Sequence, residues 1–201
     1  MLGDKRRELE RQALQDGRLP PGQSLTIKFP VLHNGPVPKY DLSTWNLRAY
    51  GLIEEEKTWT WKEFLMLPTT TITCDIHCVT RWSMLDTVWE GVPFKLFTEL
   101  VGVKPEAKFV IAHSEYGFTA NLPLETMMED DAMLAYKYDH KPLEPDHGYP
   151  LRLLAPQKYF WKSAKWLRAV EFVEEDRLGY WEQAGYHNNA DPWKEERFSG
   201  R

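Results

Sequence analysis

TITCDIHCVTRWSMLDTVWE, the run from Thr71 to Glu90, is where the reading of this chain turns. Its first nine residues alternate. Ile72, Cys74, Ile76 and Cys78 share one face, and Thr71, Thr73, Asp75, His77 and Val79 share the other. A period of two is that of a half-buried strand. Cys78 therefore stands near a strand end, on the apolar side, before the connection Thr80-Arg81-Trp82-Ser83. A thiol placed there, beside an arginine, suits a ligand or a nucleophile. The plain alternative is a buried cysteine acting as a small hydrophobe.

The 201 residues suit one domain with a sizeable core. Hydrophobic residues make up 42% and charged residues 27%, a globular balance. No apolar run approaches the roughly 20 residues of a membrane span. A net charge of −5 argues against general nucleic-acid binding. Nine tryptophans suggest aromatic walls around something large as well as core filling. On one strand the two cysteines, Cys74 and Cys78, would stand about 13 Å apart, too far for a disulfide. That fits a reducing compartment. The opening segment carries Arg6 and Arg7 but no apolar run after them, so no secretion or twin-arginine signal is read. The expectation is a cytoplasmic protein, or a periplasmic one if a leader has been removed.

Along the chain, residues 4–16 have a charged helical pattern ended by Gly17, packed if at all through Leu9 and Leu14. The segment from Phe29 to Pro38 is an ordered loop, marked by its prolines and Asn34-Gly35. A strand is expected over 45–53. Thr60 to Glu63 form a capping box opening a helix that stops at Pro68. Pro93 is expected at the first position of a helix ended by Gly102, with Phe94, Phe97, Leu100 and Val101 buried. Strands follow over 107–113, 132–138 and 169–174, and a short helix over 123–128. Asp130 and Asp131 read as solvated. The expected division is a helical arm over 1–24, a domain over 25–175 and an aromatic tail over 176–201, with no repeat and no linker.

One local charge pattern stands out. Between His147 and Val170 there is no acidic residue, but there are five cations: Arg152, Lys158, Lys162, Lys165 and Arg168. In an acidic chain that is an anion site, since arginine with lysine is what phosphate binding needs. The bland counterpart is a solvated basic face.

These segments together resemble the molybdopterin-binding domain of the sulfite oxidase family, nearest the branch that holds the bacterial methionine sulfoxide reductase catalytic subunit. The resemblance is carried by Cys78-Val79 with Trp82-Ser83-Met84, by Trp89 with Gly91-Val92-Pro93, and by the His-Asn loop before Pro36-Val37-Pro38. Gly51-Leu52 is similar to a family step. The run from His147 to Pro156 is similar to the family's HG-x-P-x-R-x-x-x-P, and Lys162 to Trp166 to its K-x-(V/I/S)-K-W. It covers roughly residues 25–175. It implies an α+β, sulfite oxidase-type fold with mixed β-sheets and surrounding helices in a single domain. It implies a molybdenum–molybdopterin cofactor, with Cys78 as the one protein thiolate on the metal. A soft thiolate suits a metal already held by dithiolene sulfurs. Leu32, His33, Asn34 and Phe29 would lie along the pterin. Ser114 stands where the family has a threonine, and a turn serine is its plain reading. His147, Arg152, Ser163, Ala164 and Lys165 would hold the pterin and its phosphate, and Arg81 would orient a substrate oxygen.

The resemblance also implies two-electron oxygen-atom transfer on a small sulfur or nitrogen oxide, with electrons exchanged with an external carrier, a haem or other redox protein. Sulfite oxidases proper follow the cysteine with Gly-Asn-Arg, whereas Val79-Thr80-Arg81-Trp82 follows here. That argues against sulfite. Three other readings compete. Zinc on Cys74, His77 and Cys78 is weak, because a strand turns His77 to the opposite face and no second pair follows. A cysteine-dependent hydrolase would pair Cys78 with His33, His113 or His147, a pairing that spacing leaves open. A non-catalytic, cofactor-free binding module is the third.

Overall fold

A computed structural model describes residues 2–200, with side chains from residue 6 onward. The chain begins with α1 (Leu2–Gln15), β1 (Ser24–Leu25), β2 (Asn46–Gly51), β3 (Lys57–Thr60) and α2 (Trp61–Phe64). The hairpin β4 (Thr70–His77) and β5 (Trp82–Pro93) leads into α3 (Phe94–Val101). Then come β6 (Phe109–Ser114), β7 (Thr119–Pro123), α4 (Leu124–Met127), β8 (Met133–Tyr138), β9 (Lys141–Pro142), β10 (Arg152–Leu154), β11 (Leu167–Val173) and α5 (Tyr180–Gln183).

Two mixed sheets result. The first runs β1-β5-β8-β10, with β4 on β5 and β9 on β8. The second runs β3-β2-β11-β6-β7; its β11–β2 pair is parallel and its other pairs antiparallel. The larger core joins Leu47, Val110, Leu122, Val170 and Phe172 of the second sheet to Phe64, Phe94 and Phe97 of the helices and to Leu134 and Leu153 of the first sheet. Each such side chain, fully buried, contributes about 1.5–3 kcal/mol. A smaller core gathers Cys74, Ile76, Trp89, Met133, Leu154 and Phe160.

The capping box at Thr60 and Glu63 forms as read. Gly102 ends α3 in the left-handed region, at φ 63°. Several expectations change. Pro93 sits one residue before α3, as its N-cap, because it still belongs to β5. The arm packs through Ala13, 3% exposed, and through Glu10, whose carboxylate accepts from Leu25 N; Leu9 and Leu14 are exposed. Asp131 is half-buried and accepts a hydrogen bond from Gln157, while Asp130 stays exposed. The strict alternation over 71–79 fails at Asp75, where a bulge shifts the register between Cys74 and Ile76. Asp75 instead takes two bonds from Arg18 (2.9 and 2.7 Å) and one from Asp86 N (2.9 Å). Past the bulge Ile76, His77 and Cys78 are all buried in succession.

Six strands were not foreseen: β1, β3, β5, β7, β9 and β10. Gly91 shows why β5 is hard to read: a Cβ there would lie 2.1 Å from Leu134 O, so the strand needs glycine to approach β8.

Candidate active site

Cys78 opens the loop between β4 and β5. Cys78 N donates to Trp82 O (2.8 Å) and Arg81 N to Cys78 O (3.0 Å), and Arg81 takes φ 73°. This is a three-residue hairpin loop whose last residue is left-handed. Cys78 lines a cleft of about 300 Å³. Five further segments line it: the 29–34 loop, the β6–β7 turn, His147, Arg152 of β10, and residues 160–166. From the tail come Trp181 and Tyr186.

Leu32, His33, Asn34, Cys78, Ser114, His147, Arg152, Ser163, Ala164 and Lys165, separated by up to 133 positions, thus converge on one cleft. Phe29 lines it too, stacked on the His147 ring at 3.9 Å. Arg81 does not join them. Its side chain is 62% exposed and turned to Gly22 O (3.4 Å) and Glu195 (3.7 Å). The left-handed loop residue sends its side chain toward the chain ends rather than into the cleft.

The five cations of the basic stretch part company. Lys162 is buried and ion-paired with Glu182 (2.7 Å), both side chains 1% exposed, and it also donates to Asn121 O (2.8 Å) and Oδ1 (2.9 Å). Arg168 pairs with Glu115 (2.8 Å), and Lys158 donates to Asn189 (2.6 Å). Arg152, Lys158 and Lys165 make no ion pair among the described residues, and of these three only Arg152 and Lys165 line the cleft. Arg152 donates to His147 O (2.9 Å) and Ser163 O (2.7 Å) and lies over the Phe160 ring at 4.3 Å. Lys165 donates to Leu32 O (2.9 Å) and Asp146 O (2.7 Å). Burial, then the Arg152 charge, draws Lys165 down to about 7. Burial, then Arg152 and Lys165, lowers His147 to about 4, so its ring is neutral at physiological pH. Burial also lowers Arg152, which nonetheless stays protonated at neutral pH.

At the other end, burial raises the Cys78 thiol, opposed by a bond from Sγ to Thr80 Oγ1 (3.2 Å) and by the charge of Arg197. Cys74 is buried as well, and burial raises its thiol to about 12 against its contact with Thr87. The wall beside Cys78 is aromatic. Tyr186 packs edge-on against Trp161 (5.0 Å) and lies 5.1 Å from Trp181. Burial raises the Tyr186 phenol, and the charge of Cys78 adds to it. Sequence reasoning missed Phe118 and Trp161 as lining residues, and left open whether the tail with Trp181 and Tyr186 wraps the domain or caps the cleft. The signal available was the aromatic density of the 160–161 and 180–186 segments.

Three lining residues carry a buried polar atom with no partner among the described residues: Ser114 Oγ, Trp82 Nε1 and Arg152 Nε. Leaving each one unpaired costs about 1–3 kcal/mol. A polar, anionic organic group in the cleft would satisfy them, and the unpaired cations would match its charge. Among the described residues no three His, Cys, Asp or Glu side chains gather as a metal site. A lone thiolate therefore suits a metal that brings its own ligand set. His77 is taken up by Ser83 Oγ (2.8 Å), which removes it from the zinc reading.

Comparison with known proteins agrees with this chemistry. The chain is 48% identical over 190 residues to an uncharacterized oxidoreductase, YuiH, of Bacillus subtilis, covering 94% of this chain and 96% of that protein. It is 26% identical over 175 residues to the protein-methionine-sulfoxide reductase catalytic subunit MsrP of Campylobacter jejuni, covering 76% of this chain and 59% of that one. The sulfane dehydrogenase SoxCD from Paracoccus pantotrophus superposes with a TM-score of 0.64 at 25% identity, over 71% of this chain and 41% of that one. Residues 34–181 match the model of the oxidoreductase molybdopterin binding domain. That span runs from the Asn34 loop through the Cys78 thiol and the unpaired cations to Trp181, and the chain belongs to the oxidoreductase molybdopterin-binding domain family.

Proposed function

We propose that this chain is a molybdenum–molybdopterin oxidoreductase that transfers an oxygen atom to or from a small neutral sulfur or nitrogen oxide, a sulfoxide or N-oxide before sulfite. The observation that carries this reading is that one cleft holds a buried thiol, Cys78, and two cations without acid partners, Arg152 and Lys165. When bound, the cofactor supplies a two-electron redox centre able to accept or release an oxygen atom. The chain's residues do the rest. Cys78 gives the metal a soft sulfur ligand. Arg152 and Lys165 offer charge-assisted bonds to the pterin phosphate. Ser114 Oγ and Trp82 Nε1 offer polar contacts, and His147, held flat against Phe29, stays a neutral hydrogen-bonding group.

The preference for a neutral substrate rests on the Cys78 end. Its loop adds Val79, Thr80 and Trp82 to the lining, Tyr186 lies close enough to feel its charge, Trp161, Trp181 and Phe118 line the same cleft, and the loop's only arginine faces away. An aromatic wall without a cation binds a neutral sulfoxide better than a sulfite or nitrate anion. MsrP, by its name, reduces protein methionine sulfoxide, which agrees. Electrons would be exchanged with an external redox protein.

The hydrolase reading finds no support. The bonding partner of Cys78 Sγ is the Thr80 hydroxyl, while His33 Nδ1 contacts Gly35 O (3.0 Å) and His113 contacts Glu171 (2.8 Å). Elemental and pterin analysis of protein made in a cofactor-competent host tests the proposal. About one molybdenum and one pterin per chain is expected. Stoichiometric zinc would contradict the proposal, and no metal would leave a cofactor-free binding module instead.

A further inference from the structure

The loop that carries Cys78 is gripped from behind by both ends of the chain. Gln23 Nε2 donates to Cys78 O (3.0 Å), and Ser24 N donates to Arg81 O (2.9 Å). From the opposite terminus, Arg197 Nη1 donates to Val79 O (2.7 Å). The Arg197 side chain is 6% exposed and its guanidinium lies over the Tyr159 ring at 4.8 Å. The ends touch each other as well. A Cβ on Gly22, whose φ is +68°, would lie 2.4 Å from Glu195 Oε1 and 2.7 Å from Arg81 Nη1. Arg197's acidic neighbour, Glu195, is 3.5 Å away and 45% exposed, so it offsets the buried cation only in part.

We propose that Arg197 is the positioning residue of the Cys78 sulfur: it fixes the loop by its backbone bond and sets a buried positive charge behind the thiolate. The inference rests on Cys78 being the metal ligand. Residues behind a ligand orient it and tune its metal. A buried charge is screened little by salt, so it acts at the neighbouring sulfur. Reduction adds negative charge to the centre, and a fixed cation favours the more negative state. Arg197 therefore raises the reduction potential of the bound metal.

A redox titration of the loaded protein, following the paramagnetic molybdenum signal against applied potential, tests this. Arg197→Met should lower the midpoint potential with molybdenum content unchanged, and Arg197→Lys, which keeps the charge, should return most of the shift. A wild-type midpoint in Arg197→Met overturns the inference. If Arg197→Met does not fold, Glu195→Gln decides: removing the exposed acid should raise the midpoint by a smaller amount, and an unchanged or lowered value overturns it. Failure of the ligand assignment looks different. Cys78→Ser would then keep the wild-type molybdenum signal, and the inference falls with that assignment.

Discussion

Lys162 and Lys165 are three residues apart, and they belong to two regions built on opposite terms. Lys162 is buried against Glu182, which also accepts from Trp161 Nε1 (2.7 Å), and Asn121 completes its donors. This is a finished ion pair, clasping the tail to the pocket wall. Lys165, with Arg152, faces carbonyl oxygens and aromatic rings and has no ion pair among the described residues. A run of cations in sequence thus separates into one part that holds the fold and one part left for an anion.

The comparison breaks most sharply on stability. Glu182→Met strands the Lys162 cation in the interior. Losing one partner of a buried pair costs about 3–5 kcal/mol. The Asn121 contacts put the expected loss toward the lower end, and a urea unfolding midpoint would read it. Lys165→Met should cost much less, because burial already penalises that cation. Equal losses for the two would erase the distinction between the regions.

Next in size is cofactor loading. Lys165→Met should weaken it by about 10- to 100-fold, the value of one charge-assisted contact of about 1.5–3 kcal/mol. Titrating apo-protein with cofactor, by pterin fluorescence, would measure it. Glu182→Met should load nearly normally wherever it is folded. Full-strength loading in an Arg152→Met, Lys165→Met double variant would make the second region a solvated face after all.

A smaller effect follows pH. Lys165 sits near 7 in the free protein and at the usual 10.5 when unfolded. Between these values the unfolded chain binds more protons, so this residue makes the free protein more stable as pH rises. Anion binding holds the proton on Lys165, so loading must take one up above pH 7. Loading should therefore weaken above pH 7, by at most about tenfold per unit. Lys165→Met should flatten that slope; an unchanged slope would assign it to another group.

Much of this was legible because the informative segments are local. Cys78, Ser114, His147, Arg152 and the 163–165 run each sit in a short, recognisable stretch, and the cleft gathers them. What stayed hidden depends on contacts between distant segments. The fate of Lys162 is set by Glu182, twenty positions on, and by Asn121, forty-one positions back. Arg81 looked like a site residue by adjacency to Cys78, but a left-handed loop position directs it to Glu195. The β4 bulge at Asp75 exists for Arg18, so no period in the strand announces it. Trp181 and Tyr186 reach the cleft on a tail that Gly179 N and the Lys162–Glu182 pair help to fasten to Asn121 and the domain.

The central claim is that Cys78, and not Cys74, is the sulfur the cleft gives to a metal. The two differ in place: Cys74 packs with Thr87 in the smaller core, and Cys78 lines the cleft. The direct measurement is the visible spectrum of loaded Cys78→Ser and Cys74→Ser proteins, side by side, with turnover of an artificial sulfoxide. Cys78→Ser should keep the pterin, lose the thiolate-to-metal absorption and lose turnover. Cys74→Ser should keep both, at a stability cost of about 1–3 kcal/mol for a buried hydroxyl. A wild-type spectrum in Cys78→Ser, with the absorption lost in Cys74→Ser, would contradict the account.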